Sequence, residues 1–342
     1  MQQPPRILFL ADGGPEVGGG HLMRCLTLAG ALVQRGAACA VADHPGAAAV
    51  LDAFAGLEIE RLPASSLAEA ARLADGWGAR AVVLDGYRLG RAEEGPLRGP
   101  GRRLMVIDDL ADRPHDCDLL LDASLGRREE DYARLIPSGA RVLAGPSYAL
   151  VRPAFAGLRD QTLARRRQDE PPQRLVVSLG LTDLDGITGR VVQALQPALE
   201  GMEADVVVGA GAPSLELLTQ LAEHDIRLRV HVEAQDMPRL LADADLAVGA
   251  GGSSTWERAC LGLPTLALVL ADNQREMARR LTGQGAQVTL ESRDPGLGLA
   301  LAESLMRLRT DRELRRGLSE ASAALCDGEG AARAAEALLA VL

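Results

Sequence analysis

A glycine-rich loop joins the first predicted strand of this chain to its first predicted helix. Apolar residues 7–10 are typical of a buried strand, five glycines follow between residues 13 and 20, and a helical pattern of apolar side chains begins at Leu22. This order places His21 in the first helical turn at the carboxyl end of a strand, where open α/β sheets bind ligands. The glycines allow a ligand close to the backbone, and the helix N-terminus disfavours a protonated imidazole. We therefore predict that His21 is a general base; the alternative is a histidine that only caps the helix.

The alternation of short apolar strands with amphipathic helices continues along the chain and occurs in two sets. Five strands are predicted in each set, at residues 7–10, 39–42, 81–84, 104–107 and 118–121, and at 175–178, 204–208, 227–230, 245–248 and 265–269. This rhythm is typical of parallel sheets covered by helices on both faces. We predict two α/β domains, residues 1–152 and 153–342, whose strands end at a central cleft. The boundary precedes an Arg-rich segment, 159–174, and the last helix, from residue 331, is placed either in the second domain or back on the first.

The composition excludes several classes of function. The chain has 342 residues, enough for two domains with cores of their own, and its net charge of -10 argues against nucleic acid or an anionic membrane as a partner. All 37 basic residues are arginine, so Schiff-base and P-loop lysines are excluded. The five cysteines form no CxxC pair, and no signal peptide or membrane span is predicted. We therefore expect a protein of the reduced cytoplasm, without structural zinc or disulfides.

A second loop of small residues connects the ninth predicted strand to a helix. Residues 249–254 are Gly-Ala-Gly-Gly-Ser-Ser, and a serine or threonine at a helix start is typical of an N-cap. Unpaired backbone N–H groups at such a start, next to glycines, form an anion site that suits a diphosphate. We predict that Gly252, Ser253 and Ser254 bind phosphate and that Glu257, one turn later, binds a ribose diol. The alternative is a glycine-lined turn with a surface glutamate.

Further polar residues follow other buried strands and are predicted to face the same cleft. Asn273 and Gln274 open a helix after the tenth predicted strand, where their amides can bind the hydroxyls or amides of a sugar. Tyr87 follows the third predicted strand and can point into the cleft. The remaining residues predicted to bind substrate flank His21: Gly19, Gly20 and Arg24.

Asp108 and Asp109 follow another strand and raise two alternatives, a metal site or a glycosidase pair. Against a metal, His115 with Asp116 and Asp118 forms only a loose grouping, which we expect to face solvent. Against a glycosidase, no sequence feature fixes the distance between two carboxylates. We predict that both aspartates are structural and that no metal or other cofactor is bound. The other histidines are predicted to lie on the surface: His44, His224 and His231.

Six motifs in this order resemble those of one enzyme family. They are ADGGPEVGGGHLMRCLTLA, VVLDGYRL, VIDDLADRPHDCDLLLD, GPSYALVRPAF, AVGAGGSSTWERACLGLPTLAL and ADNQ, and they span most of the chain. The chain resembles the UDP-sugar hydrolases of pseudaminic acid biosynthesis, relatives of the GT-B glycosyltransferases. The resemblance implies a GT-B-like fold of two Rossmann-like domains, and hydrolysis of UDP-2,4-diacetamido-2,4,6-trideoxy-β-L-altropyranose to free sugar and UDP. It places the family's catalytic histidine on His21, its tyrosine on Tyr87 and its sugar-contacting asparagine on Asn273.

The chain departs from the family pattern at the start of the second domain. Where the family has a GGTDP-like loop, this chain has Gly180-Leu181-Thr182-Asp183-Leu184, so Leu181 replaces a glycine. Because glycine allows close backbone approach, we expect Leu181 to alter the diphosphate geometry or the choice of substrate.

These residues lead to a metal-independent mechanism as a hypothesis. His21 removes a proton from water, the water attacks the anomeric carbon, and UDP leaves with inversion, while helix N-termini and arginine neutralise the diphosphate. Two alternatives stay open. One is a GT-B glycosyltransferase that uses a related UDP-sugar donor, and the other is a nucleotide-sugar-binding protein without catalysis. The expected partner is the UDP-sugar, bound by a monomer or weak oligomer.

Overall fold

The structure is a computed structural model that describes residues 3–12, 19–43, 51, 59–64, 66–168 and 170–342. The chain divides into two compact units. Unit 1 comprises Met1–Val151 together with Glu329–Leu342, and unit 2 comprises Arg152–Gly328. The second domain predicted from the sequence, 153–342, therefore differs from unit 2 by its last helix, which belongs to unit 1.

Unit 1 contains a parallel sheet, which has seven strands among the described residues. They are β1 (Arg6–Ala11), β2 (Ala38–Asp43), β3 (Glu60–Pro63), β4 (Ala81–Asp85), β5 (Arg103–Ile107), β6 (Leu119–Asp122) and β7 (Arg141–Ala144). Helices of this part of the chain are α1 (Gly20–Val33), α2 (Leu67–Gly76) and α3 (Arg91–Glu94). The strand order β3-β2-β1-β4-β5-β6-β7 reverses direction at the β1–β4 pair, where Ala11 lies beside Asp85. Such a reversal leaves a crevice at the carboxyl ends of the two strands.

Unit 2 repeats this plan with a six-stranded parallel sheet in the described part of the chain. Its strands are β8 (Arg174–Ser178), β9 (Glu203–Val208), β10 (Leu228–Val232), β11 (Leu246–Ala250), β12 (Thr265–Val269) and β13 (Val288–Glu291). Its helices are α4 (Pro153–Arg167), α5 (Ile187–Leu195), α6 (Leu215–His224), α7 (Met237–Asp243), α8 (Ser254–Cys260), α9 (Arg275–Gly283), α10 (Leu297–Thr310) and α11 (Arg312–Leu325). The order β10-β9-β8-β11-β12-β13 reverses at the β8–β11 pair, where Ser178 lies beside Gly249.

Aliphatic side chains form both cores, since aromatic residues are only 2% of the chain. Successive residues of a strand point to opposite faces, and both Ile7 and Leu8 of β1 are fully buried. The same holds for Val176 and Val177 of β8, each 1% exposed. Burial of one such side chain stabilises the fold by about 1.5–3 kcal/mol, so the central strands are rigid supports for the loops that follow them. No helix in the described part of the chain is both long and apolar enough to cross a membrane.

All ten strands predicted from the sequence are present, with their ends displaced by two residues at most. Three strands were not predicted: β3, β7 and β13. Each lies at the edge of its sheet, with β3 and β7 at the two edges of unit 1 and β13 at one edge of unit 2. These three strands are partly exposed and lack the apolar run that identified the central strands, whereas β10, at the remaining edge, was predicted.

The C-terminal helix, α12 (Gly330–Leu339), packs against α1 within unit 1. Ala334 and Ala335 are fully buried there. The helix begins at Gly330, where an added Cβ would overlap the carbonyl oxygen of Ala149 and lie 2.6 Å from its nitrogen. A glycine is therefore required at the start of α12 for close approach to the segment that precedes α4.

We expect Gly330→Ala to lower the free energy of unfolding by about 1–3 kcal/mol, because the new methyl group overpacks a rigid backbone contact. Gly317→Ala in α11 is the matched control, since no atom lies within 4 Å of its Cβ position. The better helix propensity of alanine should make that variant more stable by up to about 1 kcal/mol. Urea denaturation of both variants measures the difference, and similar stabilities would contradict the close packing of α12.

Candidate active site

The reversal of strand order between β1 and β4 brings the predicted base next to a carboxylate. His21 is the second residue of α1, and Asp85 is the last residue of β4. Nδ1 of His21 lies 2.6 Å from Oδ1 of Asp85, and both side chains are buried. Gly19 and Gly20, predicted to bind substrate, lie directly before His21 at the helix start. The two residues are 64 positions apart in the sequence. They meet because α1 follows β1, and β1 is the neighbour of β4 in the sheet.

The ionisation of Asp85 determines the tautomer of His21. Burial would raise the pKa of Asp85, but the charges and hydrogen bonds of Arg24 and His21 outweigh burial and lower this pKa to about 2. A carboxylate only accepts hydrogen bonds, so Nδ1 of His21 carries the proton and donates to Asp85. In the neutral ring, Nε2 is then the nitrogen with the lone pair that a general base requires.

The guanidinium of Arg24, one helical turn after His21, joins two carboxylates. Its Nε and Nη2 donate to the two oxygens of Asp85 at 2.5 and 2.6 Å. Its Nη1 donates to both oxygens of Asp109, at 2.8 and 2.9 Å. Burial would lower the pKa of Arg24, but Asp109 and Asp85 raise it well above its usual value. Arg24 was predicted to bind substrate, whereas these bonds direct its donors at protein carboxylates and support a positioning role.

Tyr87 packs against the imidazole and reaches the same carboxylate as Arg24. The rings of Tyr87 and His21 meet edge to face, with centroids 4.5 Å apart and an interplanar angle of 82°. The hydroxyl donates to Oδ2 of Asp109 at 3.3 Å. Burial, and then the charge of Asp109, raises the pKa of Tyr87 above its usual range. The phenol therefore keeps its proton at neutral pH and can act as a hydrogen-bond donor.

A buried polar network holds the loop that carries Asp109, and sequence reasoning missed it. Arg127 donates from Nη2 to the backbone oxygen of Asp109 at 2.9 Å and from Nε to the carboxylate of Asp122. The hydroxyl of Tyr132 lies 2.8 Å from Oδ2 of Asp108 and 2.7 Å from Oδ2 of Asp122. The two adjacent aspartates thus have different surroundings. Asp108 lies in this buried network, as expected for a structural residue, whereas Asp109 contacts the side chains around the histidine.

His115 is not solvent-facing, and that prediction was wrong. Its side chain is fully buried, and Nδ1 lies 2.5 Å from Oε1 of Glu94, which is fully buried as well. The backbone N–H of His115 donates to the oxygen of Leu135 at 2.7 Å, and this bond draws the loop into the protein. Asp116 and Asp118, which were grouped with it, pair with an arginine instead.

Neither of the other described histidines belongs to a group that could hold a metal ion. His224 is exposed, His231 is partly exposed and lies 2.7 Å from a carboxylate oxygen of Asp205, and His44 lies outside the described residues. Among the residues that the structure describes, no group of three or more His, Cys, Asp or Glu side chains could hold a metal ion.

In unit 2, the predicted phosphate loop follows β11 at the second reversal of strand order. The helix after it, α8, begins at Ser254, and the cap residue Ser253 makes no side-chain capping bond. The hydroxyl of Ser254 instead accepts from Nη1 of Arg258 at 2.9 Å. A serine therefore occupies the N-cap position, as the sequence indicated, but the hydroxyl of Ser253 makes no capping hydrogen bond. A Cβ at Gly252 would meet no atom of the described chain within 4 Å, so the loop borders open space.

Arg258 lies beneath this loop and was not predicted. Its side chain is 4% exposed, and Nη2 donates to the oxygen of Ala250 at 2.7 Å and to the hydroxyl of Thr255 at 3.1 Å. Nη1 lies 2.5 Å from the position that a Cβ at Gly249 would occupy, so glycine makes room for the guanidinium. Burial lowers the pKa of Arg258 to about 10, which still leaves the side chain charged at neutral pH. A buried positive charge thus lies under the loop predicted to bind a diphosphate.

Glu257, predicted to bind a ribose diol, shares one oxygen with an arginine. Oε1 accepts from Nε of Arg152 at 3.1 Å, and Nη2 of the same guanidinium lies 3.0 Å away as an ion pair. Burial raises the pKa of Glu257, while the charge of Arg152 opposes that rise. Within the described residues Oε2 makes no hydrogen bond, so this oxygen can still accept from a ligand hydroxyl.

Asn273 and Gln274 lie together in a short 3-10 turn, Asp272–Gln274, after β12. Asn273 is exposed. Oε1 of Gln274 accepts from the backbone of Leu270 at 2.9 Å, and its Cβ lies 3.3 Å from the Cβ position of Gly251. Gln274 therefore packs this turn against Gly251 of the loop that is predicted to bind phosphate.

Leu181 does not strain the loop after β8. The left-handed positions of this loop are Gly180, Asp183, Asp185 and Gly186. Asp183 is fully buried, and its two oxygens accept from the backbone of Thr188 at 2.7 Å and of Ser214 at 2.8 Å. Since Leu181 has an ordinary φ, the turn does not need a glycine there, and an effect of this leucine on substrate stays a prediction.

Comparison with known proteins gives two informative relatives, although no family model matches the chain. The chain is 27% identical over 201 residues to the spore coat polysaccharide biosynthesis protein SpsG of Bacillus subtilis, a match that covers 58% of each protein. It is 23% identical over 284 residues to the UDP-2,4-diacetamido-2,4,6-trideoxy-beta-L-altropyranose hydrolase of Campylobacter jejuni. That match covers 83% of this chain and 98% of the hydrolase.

A solved structure with the same architecture is that of spinosyn rhamnosyltransferase SpnG complexed with thymidine diphosphate. It matches with a TM-score of 0.66 and 21% identity, covering 98% of this chain and 99% of that one. The chain has a GT-B-like α/β fold. The predicted fold class, with two Rossmann-like parallel-sheet domains, is therefore confirmed, and at this level of identity the likeness concerns the fold alone.

Proposed function

We propose that the protein is a UDP-sugar hydrolase with His21 as general base, and that its substrate is UDP-2,4-diacetamido-2,4,6-trideoxy-β-L-altropyranose. The observation that carries the proposal is the buried pair of His21 and Asp85, which leaves Nε2 as the basic atom. The likeness to the Campylobacter jejuni hydrolase over 83% of the chain supports the choice of substrate. The residues around His21 are suited to moving a proton without a metal.

In this mechanism Nε2 of His21 takes a proton from water as the water oxygen attacks C1 of the sugar. The bond between C1 and the phosphate oxygen breaks, and UDP leaves with the electron pair of that bond. Attack from the opposite face inverts the configuration at C1. Asp85 stabilises the imidazolium, since Nδ1 already donates to its carboxylate. A diphosphate is a good leaving group, so no strong general acid is needed.

We assign the nucleotide to unit 2 and the base to unit 1. The buried charge of Arg258 favours a dianion at the loop above it. Oε2 of Glu257 is available to a ribose hydroxyl. The hydroxyl of Tyr87 donates its hydrogen to Asp109, and its oxygen can still accept a hydrogen bond next to the base. The full set of residues proposed for nucleotide and sugar is Gly19, Gly20, Tyr87, Gly252, Ser253, Ser254, Glu257, Asn273 and Gln274.

A glycosyltransferase is the second candidate. It is favoured by the likeness to SpnG, a rhamnosyltransferase that shares the fold. A base such as His21 can activate either water or an acceptor alcohol, so the two candidates differ in the nucleophile.

The direct test is incubation of the full-length protein with the UDP-sugar in the absence of an acceptor. We expect equal amounts of UDP and free sugar, with one atom of ¹⁸O at C1 when the reaction is run in H₂¹⁸O. Release of UDP that requires an added acceptor would identify a transferase, and binding without turnover would identify a binding protein.

His21→Leu tests the base. We expect kcat to fall by about 10²- to 10⁴-fold, the usual contribution of a positioned base. Affinity for UDP should barely change, because the nucleotide is assigned to unit 2. Asp85 keeps its two bonds to Arg24, so the fold should survive. His224→Leu, which replaces an exposed histidine, is the matched control, and activity of His21→Leu within a few-fold of wild type would remove His21 from the mechanism.

Arg258→Met tests the phosphate loop, since methionine keeps much of the volume of arginine and removes its charge. We expect the Kd for UDP to rise about tenfold, which is the effect of losing about 1.4 kcal/mol of attraction. Calorimetric titration with UDP measures the change, with Arg279→Met on the exposed surface of α9 as the matched control. Unchanged affinity in a folded Arg258→Met protein would argue against a diphosphate at this loop.

A further inference from the structure

Three side chains of alternating charge, Asp109, Arg24 and Asp85, connect the partly exposed Asp109 to the imidazole of His21 through hydrogen bonds. Asp109 accepts two hydrogen bonds from Arg24, Arg24 donates two to Asp85, and Asp85 accepts one from His21. The exposed fraction of these side chains falls from 25% at Asp109 to 13% at Arg24 and 1% at Asp85. Screening by water therefore weakens toward the histidine, and each charge acts more strongly on the next.

Arg24 and His21 compete for the same oxygen. Oδ1 of Asp85 lies 2.6 Å from Nη2 of Arg24 and 2.6 Å from Nδ1 of His21. The more strongly Arg24 binds Asp85, the less negative charge is left to stabilise a protonated His21. Asp109 attracts the opposite end of the guanidinium, through Nη1, and so weakens the hold of Arg24 on Asp85.

We propose that Asp109 is a positioning residue that sets the basicity of His21 through Arg24. This rests on the proposed role of His21 as the base. When Asp109 is neutral, the charge of Arg24 is balanced by Asp85 alone, the imidazolium is disfavoured, and His21 is a weaker base. Asp109 also accepts from the hydroxyl of Tyr87, so one carboxylate holds both the arginine and the ring that packs against His21.

Other ionisable groups near the imidazole do not provide this control. In the described part of the chain, the titratable and charged groups around His21 are Arg24, Cys25, Asp85, Tyr87, Asp109 and, beside Gly86, Asp12. Burial keeps Cys25 and Tyr87 neutral by raising the pKa of each. Asp12 follows β1, and its carboxylate lies next to Gly86 rather than on Arg24. The charged groups connected to Nδ1 of His21 through hydrogen bonds are therefore Asp85, Arg24 and Asp109.

The test replaces Asp109 with asparagine, which keeps the shape of the side chain and an acceptor for Arg24. The ring signals of the histidines are followed by NMR against pH in the full-length protein without ligand, and those of His21 are identified by their loss in His21→Leu. We expect the midpoint of the His21 titration to fall by about one pH unit, the scale of removing one charge near a partly buried site. Asp109→Glu, which retains the charge, should restore most of this shift.

Asp112→Asn is the matched control. Asp112 belongs to the same loop, is 59% exposed and pairs with Arg113 at 3.0 Å, so its replacement removes an equal charge away from Arg24. We expect no shift of the His21 midpoint in this variant. An unchanged or raised midpoint in Asp109→Asn, or an equal fall in Asp112→Asn, would overturn the proposal. If the signals of His224 and His231 show that Asp109→Asn does not fold, Asp109→Ser provides the same comparison.

The kinetic measurement separates this proposal from the proposed function. In Asp109→Asn the acid limb of the pH profile of kcat should move to lower pH together with the NMR midpoint. At neutral pH kcat should fall about tenfold with little change in KM, since a weaker base abstracts a proton more slowly. An NMR shift in a protein that hydrolyses no UDP-sugar would support the positioning role and refute the proposed function. Hydrolysis with an unshifted midpoint would refute the positioning role and leave the function standing.

Discussion

The ion pair of Asp85 and Arg24 is the interaction on which the candidate active site depends. Asp85 ends β4 with 1% of its side chain exposed, and an isolated carboxylate in that position would be destabilising. Removing one partner of a buried pair typically costs about 3–5 kcal/mol. Two hydrogen bonds from Arg24 keep Asp85 ionised and fix the direction of its oxygens. The tautomer of His21 follows from the ionised Asp85 beside Nδ1, and the order of the strands is what places Asp85 there.

The charged side chains at the reversal of strand order are paired differently in the two units. At the β1–β4 reversal, two carboxylates enclose one guanidinium, and a histidine shares their charge. At the β8–β11 reversal, the guanidinium of Arg258 bonds to neutral oxygens, while the neighbouring carboxylate, Glu257, is paired with Arg152. The first arrangement is suited to a base that gains and loses a proton. The second leaves a net positive charge below a loop that borders open space, which is suited to an anion.

The central part of the fold could be predicted from the sequence because of how parallel sheets are buried. Strands such as β1 and β8 are covered on both faces, so nearly every side chain is apolar and the run stands out from its surroundings. The missed strand β3 has the sequence Glu-Arg-Leu-Pro and is mostly exposed, and β7 begins with an arginine in solvent. At an edge, one face and one row of backbone groups meet water, so polar residues and proline are tolerated and the pattern is lost.

The candidate site could be predicted only where its signal is local. His21 lies in a strand, glycine loop and helix that are continuous in sequence, and so does the loop before Arg258. The contacts of His21 with Asp85 and of Arg24 with Asp109 span 64 and 85 positions, and no local pattern selects these aspartates from the many in the chain. They follow instead from strand order. In a doubly wound sheet the chain returns after β3 to form β4 on the free side of β1. A polar residue at the end of β4 therefore lies next to the loop and helix that follow β1. Applied to the sequence, that rule selects Asp85, whereas Asp109, one strand further out, reaches the site because the long side chain of Arg24 spans the gap.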